Sequence, residues 1–321
     1  MGRYARNSAI AAKIETTYRT DATPAGATDA ILVSNQNINP LNAQNVDRGL
    51  VRPWLGGSEQ LVGTAYKEVS FDVEIAGSGT AGTAAAYGPL LRACALAEAV
   101  TAGQRVDYTP ISTAFESLTI YYVDDGILHK LLGARGDVEL AMGLADRPVY
   151  RFKFWGIDGG EATGSLSGAS YANFKKPLVI TDANTGDITL GCTYATGALT
   201  GGTTYPSTGL QSLKLGNSLA FNALLGGEEI DITQREVTGT IQLDLTATQE
   251  VTLMATVKAN TTQGLGFVHG TAGGNTVLIF VPNAQLLNPT KQDINGRRLI
   301  GFDIRGVPGA SGNDDLRIVV K

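Results

Sequence analysis

The sequence predicts a mainly β protein made of two tandem β-sandwich or barrel domains, each flanked by one α-helix. Short stretches in which apolar and polar residues alternate mark strands with one dry and one wet face. Forty glycines and only 17% charged residues supply the turns that many short strands require. The order of elements in the first half also returns in the second, and 321 residues suit two ordinary domains.

Residues 1–29 lack periodicity and end in a turn-forming run from Thr20 to Asp29, which reads as an N-terminal arm. The first domain is assigned to residues 30–158. Ile31–Val33 opens it, and a polar loop from Asn35 to about Gly63 follows. A loop of that length is uncommon in a compact domain and serves partner binding, with Arg52 and Trp54 of interface-favoured type near its tip. In Lys67–Ile75, the apolar Val69, Phe71, Val73 and Ile75 alternate with Glu68, Ser70, Asp72 and Glu74, giving a strand with an acidic wet face. Gly77, Gly79 and Gly82 open a flexible loop at a sheet edge. Pro89 then suits the first position of a helix expected over Leu90–Val100.

Ser117–Val123 and Ile127–Leu132 read as a hairpin, because Asp125-Gly126 tolerates the positive φ of a tight turn. Strands follow at Gly136–Leu140 and Val149–Gly156. In the latter Tyr150, Phe152 and Phe154 share the dry face, opposite Arg151 and Lys153. The small, polar residues 159–175 read as a linker, and residues 176–321 as the second domain. There Thr240–Leu245 alternates like Ser70–Ile75, placing Gln242 and Asp244 where Asp72 and Glu74 stand. Gln249–Lys258 is the counterpart helix, Gly264–His269 and Thr276–Val281 the counterpart hairpin, and Arg297–Gly306 parallels Arg147–Gly156.

Several function classes are excluded. Gly77-Ser-Gly-Thr-Ala-Gly82 matches a dinucleotide fingerprint by letters, but its strand carries Asp72 and Glu74 and its glycines stand too far before Pro89. A net charge of −5 argues against gripping nucleic acid. Cys94 and Cys192 are read as reduced structural thiols, and His129 and His269 as packed or surface side chains without ligand spacing. Asp124-Asp125 is accounted for by its turn, and Arg135-Gly-Asp137 by a turn between strands. Ala9–Ala12 is too short for a signal-peptide core, so Asn260-Thr-Thr262 stays unmodified, and no apolar run spans a membrane. No cofactor or metal is implied, and no nucleophile–His–acid constellation appears.

The segment from Lys67 through Leu91, Glu15-Thr-Thr-Tyr-Arg-Thr-Asp21, Asp231–Gly239, Val281–Pro289 and Asp314–Val320 closely resemble the tail tube (major tail) proteins of long-tailed, non-contractile bacteriophages. The resemblance implies a non-enzymatic virion protein with tail-tube-type domains whose inner sheets join across subunits into one closed β-barrel. It implies stacked rings forming a hollow tail tube for DNA ejection, assembled in the host cytoplasm. Family rings hold six tube domains, so two per chain imply a trimeric, pseudo-hexameric ring, with a hexamer as the alternative. Asp72, Glu74, Gln242 and Asp244 would then face a lumen that repels DNA. Tyr18, Arg48, Arg52 and Trp54, in the arm and the long loop, would bridge rings. Tail terminator, tape measure and tail-tip proteins are the implied partners. The competing readings are a carbohydrate-binding or glycan-processing β-sandwich, or another virion β-protein such as a tail terminator or decoration protein.

Overall fold

A computed structural model describes residues 2–321. In the first half β1 (Ser8–Ile14), α1 (Gly26–Asp29) and β2 (Ala30–Ile31) precede β3 (Ser34–Asp47) and β4 (Gln60–Glu74). Next come α2 (Gly88–Ala93), β5 (Leu96–Thr101), β6 (Arg105–Pro110), β7 (Leu118–Asp124), β8 (Ile127–Gly143) and β9 (Val149–Thr163). The second half opens with four short strands, β10 (Ile188–Leu190), β11 (Thr193–Ala195), β12 (Ala198–Thr200) and β13 (Thr203–Tyr205). It continues with β14 (Ser207–Lys214), β15 (Asn217–Leu224), β16 (Gly227–Arg235), β17 (Thr238–Leu243) and α3 (Ala247–Lys258). It closes with β18 (Thr262–His269), β19 (Val277–Ile294), β20 (Arg297–Gly306) and β21 (Arg317–Val320).

The chain is mainly β and antiparallel, and the sheet is open within one chain. Its spine is the run β3-β4-β9-β8-β14-β17-β20-β19. β8 and β14 join the two halves, Glu139 opposite Lys214 and Leu140 opposite Leu213. Register is the same on both sides of that seam. Phe71 faces Phe152 across β4–β9, and Ile241 faces Phe302 across β17–β20. β1, β7, β18, β10 and the β5–β6–β21 group cover the dry face. One core contains Phe71, Phe152 and Phe154 together with Leu213, Ile241 and Phe302, so apolar packing is continuous across the seam.

Four local expectations change. The supposed arm contains β1, each of whose seven residues pairs with β7, and Ile10, Ala11 and Ala12 are buried. Buried Glu15 then accepts hydrogen bonds from Ser117 Oγ, Thr119 Oγ1 and Gly133 N at 2.6, 2.9 and 2.8 Å. Small residues buried on both faces leave no alternation to read. The loop Asn35–Gly63 is instead a long β3–β4 hairpin with its tip at residues 48–59. Beyond Asn39 the ribbon stands largely in solvent and has no dry face, so its sequence carries no period of two there.

The helix expected to Val100 stops at Ala93, where Ala95 turns the chain at φ +61° and Leu96–Thr101 pairs with β6 instead. Six residue pairs with a neighbouring strand outweigh the good helix propensity of Leu, Ala and Glu. Finally, β9 continues to Thr163, five residues into the expected linker, held there by pairing of Thr163 with Ile127. The Asp125-Gly126 turn does form, with φ of +42° and +90°. Its carboxylates tether the chain start: Arg3 Nη2 donates to Asp124 at 2.6 Å and the Tyr4 N–H to Asp125 at 2.6 Å.

The glycine-rich loop is a packed joint. A Cβ on Gly77 would lie 1.9 Å from the Gly274 carbonyl oxygen, and Gly79 N donates to that oxygen at 2.9 Å. Gly77 N also donates to Asn275 Oδ1 at 2.8 Å, so the loop's amides are used on the β18–β19 turn.

Lys67 is fully buried on the dry side of β4, its Nζ 2.7 Å from Asp158 and 2.6 Å from Glu161. The bond from Lys67 holds the Glu161 carboxyl below its ordinary 4.5. Burial works against ionisation of Asp158, but bonds from Lys67 and the Gly160 N–H leave it below 3.8. A depressed carboxyl stabilises the fold above its unfolded pKa and loses that contribution as pH falls through the folded value. Lys67→Met is expected to flatten the fall in stability between about pH 5 and pH 3, measured by urea unfolding. An unchanged acid slope would show that the ammonium does not set it.

Candidate functional site

The wet face of the spine carries the four residues singled out for a channel, and the structure gives each a partner. On β4, Glu68, Ser70, Asp72 and Glu74 alternate with buried Val69, Phe71 and Val73. Across the strand pair, Asp72 stands opposite Arg151 and Glu68 opposite Trp155. Ion pairs tie the face together: Glu68–Lys153 at 2.7 Å, Glu74–Arg147 at 3.1 Å and Glu139–Arg151 at 3.2 Å. On the other side of the seam lie Asp244–Arg297 at 2.7 Å and Glu236–Arg305 at 3.0 Å, while Glu139 also reaches Lys214 at 3.6 Å. Asp72 accepts from Asn35 Nδ2 at 2.7 Å, and Gln242 bridges Thr208 and Gln292 at 3.0 and 2.8 Å.

Two of these contacts are the same contact made twice. Glu74 and Asp244 occupy one position of the repeated register, Arg147 and Arg297 another, and each carboxylate holds its arginine.

The wet face expected to be acidic therefore carries interleaved opposite charges. In every pair the cation is the more exposed partner: Arg297 keeps 76% of its side-chain surface against 24% for Asp244, and Arg151 51% against 21% for Glu139. A short carboxylate sits against the sheet, while a long arginine or lysine lays its stem over it and leaves its head in water. Such exposed pairs contribute little to stability, so their effect is on the surface potential. Sequence reasoning missed the cations. The alternation of Arg151 and Lys153 with Tyr150, Phe152 and Phe154 put them on a wet face, but nothing local said that β9 would lie beside β4.

The residues expected to bridge rings separate into two groups. Arg48 and Arg52 share the carboxylate of Glu59 at the β3–β4 tip, Arg52 at 3.6 Å. Beside them Trp54 is 67% exposed, and Val51 and Leu55 are wholly so. Tyr18 is elsewhere and is used within the chain. Its phenol oxygen accepts from Ile230 N at 2.8 Å, and its ring lies 4.7 Å from the Arg135 guanidinium.

That same guanidinium donates to the Ile230 carbonyl at 2.7 Å and meets Glu229 and Asp231, so Arg135–Asp137 lies within β8 as a clamp on β16. Asp137 accepts from Asn217 N at 2.9 Å, and burial pushes its carboxyl up. The β15–β16 hairpin thus held was not foreseen. Its signal was Leu224-Leu225-Gly226-Gly227, two apolar residues before a glycine turn, and both leucines are exposed. It is inserted between β14 and β17, as the projecting tip is between β3 and β4.

Of the histidines, His269 Nδ1 lies 2.8 Å from Thr185 Oγ1 with its pKa pushed down by burial, and His129 lies 3.5 Å from Glu161. Cys94 and Cys192 are both buried free thiols. Among the described residues no helix is long and apolar enough to cross a membrane.

An open antiparallel sheet with ion pairs across one face, free edge strands and projecting apolar hairpin tips defines the class as a mainly β protein. The family model described as phage tail tube protein matches residues 5–316, and the chain belongs to that family. No curated protein sequence matches it. It is a structural protein of a phage tail.

Proposed function

We propose that three copies close into a ring whose bore is lined by the wet faces, and that such rings stack into the tube through which DNA leaves. One observation carries this reading: the β8–β14 seam. By the repeated register, β8 corresponds to β19 and β14 to β3. Those two are the edges left over, since β3 pairs only with β4, and Leu286–Ile294 of β19 pairs only with β20. A neighbouring copy that offers β3 to this edge repeats between chains the junction already made within one. The match is residue by residue, placing Asn39 of one copy opposite Thr290 of the next, as Lys214 faces Glu139. Closure removes both edges, which otherwise invite indefinite association.

The two equivalent four-strand units support the reading of two tube domains per chain, with β14 opening the second. The bore then presents Asp72, Glu74, Gln242 and Asp244, with the arginine partners of Glu74 and Asp244 outermost and neutral side chains bonded to Asp72 and Gln242. Each guanidinium is already neutralised by a carboxylate at its stem, so a passing phosphate releases few counterions and gains little. DNA slides because the wall is balanced rather than because it repels. The chain acts as a structural element rather than an enzyme, in the virion tail, with tail terminator, tape measure and tail-tip proteins at the ends of the tube.

The mass of an isolated ring tests this. Three times 33.5 kDa is expected, with hollow tubes in negative stain. A chain that stays monomeric when concentrated overturns the ring, and a six-chain mass overturns the two-domain count.

A further inference from the structure

We infer that the β3–β4 tip of one copy docks into an acidic, apolar-floored pocket at the opposite end of another copy. The inference rests on the ring reading and adds the receptor for the tip. β4 is fifteen residues long, so its two ends stand about 50 Å apart at strand rise. At the Gln60 end is the tip. At the Glu74 end the β8–β9 turn lies alongside, Ile75 N donating to the Pro148 carbonyl at 2.9 Å.

Beside that turn is a pocket of about 170 Å³, floored by Ile180 and Phe267 and rimmed by Leu144, Asp182, Asp187 and Pro206. The Ala145 and Ile180 amides hold its walls together, donating to the Ile180 and Asp146 carbonyls at 2.9 and 3.0 Å. Leu144 and Val179 are about half exposed at the rim. Asp146, Asp182 and Asp187 are all exposed, and none of them forms an ion pair among the described residues. Three carboxylates outside any ion pair leave this rim acidic.

The tip is the complement of this pocket. It carries two guanidinia, Arg48 and Arg52, on one carboxylate, and it exposes Leu50, Val51, Trp54 and Leu55 with nothing in the chain to cover them. An aromatic anchor flanked by arginines, facing an apolar floor with unpaired aspartates at its rim, satisfies both partners at once. The tip and the pocket lie at opposite ends of the same strand. A copy therefore cannot fill its own pocket, and the contact propagates head to tail.

The test reads stacking and ring mass separately. Asp182→Lys with Asp187→Lys is expected to leave ring mass unchanged and to raise the protein concentration needed for tubes by roughly tenfold or more. Arg48→Glu with Arg52→Glu should do the same, and the four substitutions together should restore tubes. Trp54→Ala, which changes no charge, should also suppress tubes while leaving rings. Pocket variants that stack like the unmodified chain, or a fourfold variant that fails to recover, overturn the docking and leave the ring intact. Absence of rings from the unmodified chain overturns the ring reading and this inference with it.

Discussion

Oxidation of a chain carrying Asn39→Cys and Thr290→Cys gives a covalent ladder that ends at three chains, the last species migrating as a closed ring. The expectation follows from register alone. Lys214 faces Glu139 across the seam, and Asn39 and Thr290 hold the same positions on the free edges. Directly opposed residues in an antiparallel pair bring their Cβ atoms to about 4.5–5.5 Å, within reach of a disulfide after small adjustment. The native thiols do not compete, because Cys94 is 0% and Cys192 2% exposed. Each single-cysteine variant is the control and should remain uncrosslinked. A double variant no more crosslinked than its controls removes the shared-edge account, and a ladder running past three chains to six removes the trimer.

Phe152→Ala is expected to destabilise the chain by about 3–5 kcal/mol, and Phe302→Ala by less within that range. Both phenylalanines stand at the same register position, and both are 2% exposed. Their surroundings differ. Phe152 lies among Phe71, Tyr150 and Phe154 with ring centroids 5.7–5.9 Å apart, whereas Phe302 faces the aliphatic Ile241. Aromatic pairs contribute about 0.5–1.5 kcal/mol beyond their buried area, and Phe152→Ala forfeits three of them. Chemical denaturation of the two variants checks the order. A larger loss for Phe302→Ala would mean that cavity relaxation, rather than ring contact, sets the cost.

The strands with one wet and one dry face were legible because alternation is a local property. Val69 to Ile75, Tyr150 to Phe154 and the Asp125-Gly126 turn all stand where the sequence predicts them. Elements that break the pattern were not legible. β1 is buried on both faces at Ile10–Ala12, and β3 beyond Asn39 is largely exposed on both, so neither stretch alternates. Leu96–Thr101 has helix-forming residues and becomes a strand because β6 lies beside it.

The candidate site divides in the same way. The sequence by itself determined a mainly β chain, the faces of its strands, and Asp72, Glu74, Gln242 and Asp244 as wet-face residues, since each follows from neighbours along the chain. Only the tertiary structure decided that Glu74 and Asp244 sit beneath arginines, that Tyr18 is used within the chain, and that β8 meets β14. Those contacts join residues many positions apart, and what brings them together is the burial of the common dry face, to which no single strand holds the key.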